Sequence, residues 1–323
     1  MKILITGAAG YIGSVLVQAL LEKKYHVTAY DQLNFGGESL LGYFTNPRFR
    51  FIKGDIRDEQ QMKKALDKTD AVIHLAAIVG DPACAANEKL AEETNWNAPK
   101  KIFDNVCQSK RIKRFIFAST CSNYGKMPDD NYVYEDSPLN PVSLYARLKV
   151  RFEQYILSND KECPHIPTSL RFATVYGVSP RMRFDLTVNE FIREVALDRE
   201  LIIFGEQFWR PYCHVTDIAR ACVTILESPA DTVSHQVFNV GSTEENYQKK
   251  MIADEILKLY PEARIKYVPK DEDPRDYRVD FSKIKNVVGF HPAKTVPTGI
   301  REVDQIVKLR IIDDPYSKKY RNT

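Results

Sequence analysis

Neither sign of charge dominates this chain: 46 Lys and Arg stand against 43 Asp and Glu, a formal charge of +3. That balance leaves no electrostatic reason to expect nucleic acid or a membrane surface as a partner. Long apolar runs are missing too. The early ones, Ile3 to Ile5 and Val15 to Val17, fall far short of the roughly 20 residues a bilayer span needs. Gly7 and Gly10 interrupt the start, so no signal peptide is expected. Cysteine is sparse. Its six residues, at 84, 107, 121, 163, 213 and 222, contain no C-x-x-C pair and read as reduced thiols of a cytoplasmic protein. The six His never fall at zinc-ligand spacing, so no metal site is expected. There is no internal repeat and no low-complexity stretch.

What is present describes an ordinary soluble protein: 44% hydrophobic and 28% charged residues exclude a disordered, collagen-like or coiled-coil chain. At roughly 100–200 residues per domain, 323 residues allow two domains, or one large α/β domain with a lobe. Such a chain buries about three quarters of its unfolded surface and needs no disulfide or metal to fold. The first half alternates two periods. Lys2 to Thr6, His26 to Tyr30, Phe49 to Lys53, Ala71 to Leu75, Arg114 to Ala118 and Thr168 to Ala173 read as strands. Tyr11 to Lys23, Asp58 to Leu66, Leu90 to Gln108 and Val142 to Leu157 read as helices. Ala71 to Leu75 is nearly all apolar, as in a strand covered on both faces. The alternation predicts an α/β fold with a doubly wound parallel sheet. Past Pro180 the pattern loosens. Helices are expected at 186–197, 215–227 and 247–259, with short strands at 201–204, 236–240 and 265–268. Asp271 to Arg278 reads as a charged loop around Pro274, and Asp313 to Thr323 as a polar, frayed tail.

Gly7-Ala8-Ala9-Gly10-Tyr11-Ile12-Gly13 leaves the first strand and opens the first helix. Gly7 allows the tight bend, Gly10 lets backbone approach a pyrophosphate, and Gly13 lets helix pack on strand. The helix N-terminus then offers N–H groups and positive charge to phosphates. The spacing is G-x-x-G-x-x-G, so placement rather than pattern carries the reading. Asp31 ends the next strand. A carboxylate there accepts hydrogen bonds from both ribose hydroxyls of NAD and repels a 2′-phosphate, which favours NAD over NADP. After the third strand, Asp55 suits the adenine amine and Ile56 its face. Tyr145 and Lys149 stand four apart and so share one helical face. An ammonium beside a phenol favours the phenolate. Free Tyr titrates near ~10, so a base near neutral pH needs a shift worth roughly 4 kcal/mol. Such a spacing also arises by chance in a chain with 17 Tyr; its place after the fifth strand raises it above that. Thr120, at the end of that strand, points a hydroxyl toward the cleft where doubly wound sheets bind ligands.

In one order the chain carries the glycine turn, Asp31, Gly54-Asp55, His74-Leu75-Ala76-Ala77, Asn95, Ser119-Thr120 and Tyr145-x-x-x-Lys149. It continues with Arg171 to Gly177, with Phe204-Gly205 to Asp217, and with Asp280-x-Ser282-Lys283. The set resembles the extended short-chain dehydrogenase/reductase superfamily, in its NAD-dependent nucleotide-sugar epimerase/dehydratase family, over nearly the whole chain. The resemblance implies a Rossmann-type sheet at 1–178 plus 214–240 and a smaller C-terminal α/β substrate lobe at 179–213 plus 241–323. It implies Tyr145 as base, Lys149 as its partner on the nicotinamide ribose, and Thr120 as the hydroxyl partner. It implies cofactor contacts from Gly7, Gly10, Tyr11, Ile12, Gly13, Asp31, Asp55, Ile56, Leu75, Ala76, Ala77, Asn95, Ser119 and Val175. For the nucleotide-diphosphate sugar it implies Val79, Ser122, Asn189, Arg210 and Arg275, guanidinium forks being suited to phosphate oxygens. Helices 90–108 and 142–157 are implied to form the interface of a homodimer.

Departures from the family pattern bear on the reaction. Its 4,6-dehydratases carry Asp-Glu directly after the Thr; this chain has Cys121-Ser122. Its glucuronate decarboxylases carry Glu where Ser122 stands. The family's 3,5-epimerases use a Cys one place later than Cys121, which leaves Cys121 open as a second base or an inert small residue. The missing carboxylates leave hydride chemistry at one carbon, which predicts a C4 epimerase. Leu75 to Pro82 and Ser179 to Asn189 also resemble bacterial C4 enzymes that include a GDP-heptose 4-dehydrogenase. That keeps a 4-dehydrogenase open, with a 4,6-dehydratase behind it. A non-enzymatic NAD(P)-sensing protein is the reading from a different class. Such proteins usually lose the Tyr or Lys; here both remain.

Overall fold

The structure, a computed structural model, describes residues 1–126, 131–158, 163, 166–271 and 275–322. Pro274 of the expected charged loop and Thr323 lie outside the described residues. Seven strands form one parallel sheet: β1 (Lys2–Thr6), β2 (His26–Asp31), β3 (Phe49–Lys53), β4 (Ala71–His74), β5 (Arg114–Thr120), β6 (Ile166–Phe172) and β7 (Gln236–Val240). Across the sheet they run 3-2-1-4-5-6-7. Chain direction away from β1 therefore reverses between β1 and β4, and the crevice at their carboxyl ends is where such sheets bind ligands. The pairings Thr6 with His74, His74 with Phe117 and Thr120 with Phe172 bring those ends into line.

The two faces of the sheet show why the strands form. Ile3 and Ile5 of β1 enter one core, with Val15, Leu16 and Leu20 of helix α1 (Tyr11–Glu22). Leu4 enters the other, with Phe103 of α2 (Ala98–Gln108) and Phe152 of α3 (Leu144–Ser158). Alternate residues of one strand feed opposite layers, the two-residue period of a strand covered on both faces. Ser143 Oγ accepts from the Ala146 amide at 3.2 Å, a cap that starts α3 just after the expected Val142. The remaining helices that matter here are α4 (Thr187–Ala196), α5 (Val215–Glu227) and α6 (Val296–Lys308). The last was not anticipated, although Val296, Ile300, Val303 and Val307 are buried at helical spacing. A small sheet joins Thr174–Tyr176, Trp209–His214 and Asn246–Gln248, so the helix expected from 247 begins at Lys249. No helix among the described residues is long and apolar enough to cross a membrane.

Two expectations are corrected. Cys107, in the last turn of α2, is bonded to Cys163, so the six cysteines are not all free thiols. They lie 56 residues apart in sequence, and the return of the chain from α3 toward β6 brings them together. Cys84, Cys121, Cys213 and Cys222 are buried thiols. The C-terminal tail is not frayed. The Phe184 amide donates to the Tyr320 carbonyl at 2.9 Å, their rings meet edge to face at 5.9 Å, and the Asn322 amide donates to Asp185 Oδ2 at 3.1 Å. One aromatic anchor and two backbone bonds outweigh the polar composition of the segment.

Candidate active site

A cleft of about 570 Å³ opens at the carboxyl ends of β1, β2, β4 and β5, within the size range of ligand sites. Gly7 turns out of β1 with φ +72°. A Cβ on Gly13 would lie 2.1 Å from the Gly7 carbonyl. Gly7 is thus required by its dihedral angle, and Gly13 by the closeness of α1 to the turn. Gly7, Gly10, Tyr11, Ile12 and Gly13 all line the cleft, and α1 starts with no acidic residue in its first turn. Its positive end is left unneutralised there. Asp31, ending β2, accepts from the amides of Ala9 (3.0 Å) and Leu33 (2.8 Å). One carboxylate therefore pins the glycine turn to the next loop while still lining the cleft. Burial pushes its carboxyl above the ordinary range, against the two amides.

On the other side of the cleft stand Ser119, Thr120, Tyr145 and Lys149. Thr120 Oγ1 accepts from the Ser122 amide at 3.1 Å, which leaves its own hydrogen to donate. Lys149 is buried; its ammonium donates to the Ala118 carbonyl at 2.7 Å and lies 5.8 Å from the centre of the Tyr145 ring. Burial pulls Lys149 down to about 7 and pushes the Tyr145 phenol up, with Arg183 acting to lower the phenol. In the protein by itself, loss of hydration therefore sets the direction for both groups. Cys121 is buried, donates to the Arg171 carbonyl at 3.2 Å, and burial pushes its thiol up. It is not among the residues that line the cleft.

Ile56, Leu75, Ala76, Ala77, Val79, Ser122, Val175 and Arg275 also line the cleft. Asp55, Asn95, Asn189 and Arg210 do not. Asp55 is paired with Arg57 at 2.5 Å. Asn95 sits in a single π-helical turn, Glu93–Asn97, and grips both the amide and the carbonyl of Ile78 (2.8 and 2.9 Å). It shapes the cleft wall from behind. Asn189 is fully buried; its amide accepts from the Gly177 amide (2.9 Å) and donates to the Arg183 carbonyl (2.8 Å). Arg210 donates to the Trp209 carbonyl at 2.6 Å and lies 5.5 Å from the Tyr277 ring centre. Sequence reasoning missed Phe35, Arg181, Arg183, Tyr277 and Asn322 on the cleft wall. The signal for the two Arg was the stretch from Ser179 to Asn189, where the alternation loosens and the resemblance to C4 enzymes lies. Among the described residues the only acids on the wall are Asp31 and Asp81, and Asp81 is paired with Arg275 at 3.3 Å.

Residues 3–241 match the sequence profile of the NAD dependent epimerase/dehydratase family. The chain belongs to that family. Like other members it is an NAD-dependent enzyme of sugar-nucleotide chemistry, built on the Rossmann-type sheet described above. Among its relatives, the protein named "Uncharacterized UDP-glucose epimerase YtcB" of Bacillus subtilis (strain 168) is 30% identical over 313 residues, covering 93% of this chain and 96% of the relative. The UDP-glucose 4-epimerase of Lactobacillus helveticus is 28% identical over 312 residues, 90% and 92% of the two chains. Among solved structures, UDP-glucuronic acid 4-epimerase from Bacillus cereus, in complex with UDP-glucuronic acid and NAD, superposes with a TM-score of 0.86 at 28% identity, covering 96% and 99%. The glycine turn, the unneutralised end of α1 and the Asp31 carboxylate fit NAD: they offer backbone donors for a diphosphate and an acceptor for ribose hydroxyls.

Proposed function

We propose that this chain is a nucleotide-sugar 4-epimerase, with a UDP-hexose as the first substrate to test. The observation that carries the reading is the composition of the cleft around Tyr145. A phenol, an ammonium and a hydroxyl converge there, and the one nearby acid, Asp81, is spent on Arg275. Moving protons at sugar carbons, or expelling water or carbon dioxide, needs a further acid–base group; among the described residues this wall provides none that is unpaired beside Tyr145. Related proteins named as UDP-sugar 4-epimerases support the same reading.

In this reading residues 1–178 and 214–240 hold the cofactor, and the remaining segments hold the sugar nucleotide. Tyr145 takes the proton of the C4 hydroxyl, and Thr120 donates to that oxygen throughout. Lys149, tethered to the Ala118 carbonyl, holds the nicotinamide ribose and supplies positive charge beside the phenolate. NAD, held by the glycine turn and Asp31, would supply hydride transfer from C4 and back to its opposite face. Tyr145 then gives its proton back, so no net oxidation occurs. Arg275 is a cation for the nucleotide diphosphate. Incubation with a panel of UDP-, GDP-, CDP- and dTDP-sugars, with products resolved by NMR, should show interconversion of C4 epimers. A released 4-keto sugar with stoichiometric NADH would instead identify a 4-dehydrogenase. A 4-keto-6-deoxy sugar or a pentose would overturn the reading.

We also infer a homodimer through α2, α3 and the turn before them. Their outer surface carries Trp96 beneath the Arg151 guanidinium (3.9 Å) and edge-on to Tyr155 (5.7 Å), aromatic area of the kind enriched at interfaces. A sedimentation mass of one chain would count against it.

A further inference from the structure

Arg181 is buried, yet no carboxylate among the described residues bonds to its guanidinium. Its Nη2 donates to the Arg321 carbonyl at 3.1 Å, its Nε is buried without a partner, and its plane lies 4.2 Å from the centre of the Phe35 ring. The acids that act on it from nearby are Asp185 and Asp31. The first is occupied by Arg183 (2.9 and 2.7 Å) and the Asn322 amide, the second by the amides of Ala9 and Leu33. Burying a cation without a bonded anion is costly, and burial pulls this one down to about 10. Such a site is completed by an anionic ligand.

The loop that carries Arg181 is bolted to the glycine turn. Ser179 Oγ donates to the Tyr11 carbonyl (2.7 Å), and the Tyr11 hydroxyl donates to the Gly177 carbonyl (2.6 Å). Arg181 therefore reaches the cleft beside the first turn of α1, where the dinucleotide diphosphate belongs. The chain segment after α6 reaches the same point: Asn322 lines the cleft, and its Oδ1 is buried without a partner among the described residues.

We propose that Arg181 is a ligand of the cofactor diphosphate, aimed into the cleft by the chain segment Tyr320–Asn322. The segment acts through the Arg321 carbonyl, which takes one arm of the guanidinium and leaves the rest for phosphate oxygens. Charge-assisted bonds of this kind are the strong ones. The assignment concerns the cofactor and holds whichever sugar the enzyme acts on.

The test is calorimetric titration of NAD, ADP and adenosine into protein freed of bound nucleotide. Arg181→Gln should weaken NAD and ADP by roughly ten- to a hundredfold, the usual range for a hydrogen bond to a charged group. It should leave adenosine unchanged. Arg181→Lys should recover part of the loss, since it restores the charge without the fork. A chain ending at Lys319 should also lose NAD affinity. Combining that truncation with Arg181→Gln should cost less than the sum of the two. Unchanged NAD affinity in Arg181→Gln overturns the proposal. So does equal weakening of adenosine, or a raised KM for the sugar nucleotide with NAD binding intact. If the truncated chain fails to fold, the Arg181 variants still decide whether the cation binds the diphosphate, and Asn322→Pro, which removes the amide bond to Asp185, replaces the truncation.

Discussion

Tyr145→Phe should lower turnover by roughly 10²–10⁴, the range expected for one positioned acid–base group, while NAD stays bound. The substitution removes only the hydroxyl. The ring lies in the apolar surround that includes Cys84, Ala91 and Leu148, so Phe keeps the packing. Lys149 keeps its bond to the Ala118 carbonyl, and the glycine turn and Asp31 are untouched. Steady-state assay of epimer interconversion, with absorbance of bound cofactor in the same preparation, reads both quantities. Normal turnover in this variant would remove Tyr145 from the chemistry. Loss of NAD would show that the phenol serves binding instead. Cys121 offers no substitute: burial pushes its thiol up, and it is off the wall.

Glu153→Gln should destabilise the protein by about 3–5 kcal/mol, the usual result of leaving one partner of a buried ion pair uncompensated. Glu153 lies inside α3, and Arg171 lies next to the end of β6; their side chains are 2% and 5% exposed. The Arg171 guanidinium donates to Glu153 at 2.7 Å, to the Tyr124 hydroxyl at 2.8 Å and to the Glu135 carbonyl at 3.0 Å. Ser169 Oγ donates to the other carboxylate oxygen at 2.7 Å. The amide of Gln cannot replace a charge that satisfies this many donors. A drop in melting temperature of roughly 5–15 °C is expected, read by calorimetry. An unchanged melting temperature would show the pair to be energetically idle. The network also bears on the site. Ser119 pairs with Arg171 across β5 and β6, and the Arg171 carbonyl holds Cys121. The variant should therefore lose activity at a lower temperature than the wild type.

Much of this was legible in residue order, for a physical reason. Strand and helix periods are local. Val72 and Ile73 read as a strand covered on both faces, and the turn from Gly7 to Gly13 read as a phosphate cradle, because each depends on neighbours a few residues away. The same holds for Asp31 at a strand end, and for Tyr145 and Lys149 on one helical face. The parallel, doubly wound sheet followed from alternation alone. Tertiary structure decided what depends on distant segments meeting. Cys107 and Cys163 carry no spacing that marks them as a pair; the packing of α2 beside the approach to β6 joins them. Asn189 and Arg210 read as ligands from the family resemblance; the fold buries Asn189 and bonds it to the chain's own amides and carbonyls. Composition made Asp313 to Thr323 a frayed tail, and Tyr320 against Phe184 anchors a segment whose Asn322 lines the cleft. Arg183 acts on Tyr145 across 38 residues, a coupling no local pattern encodes. Protonation was decided last of all. Spacing put an ammonium near a phenol, but burial, a property of the whole fold, pulled one down and pushed the other up.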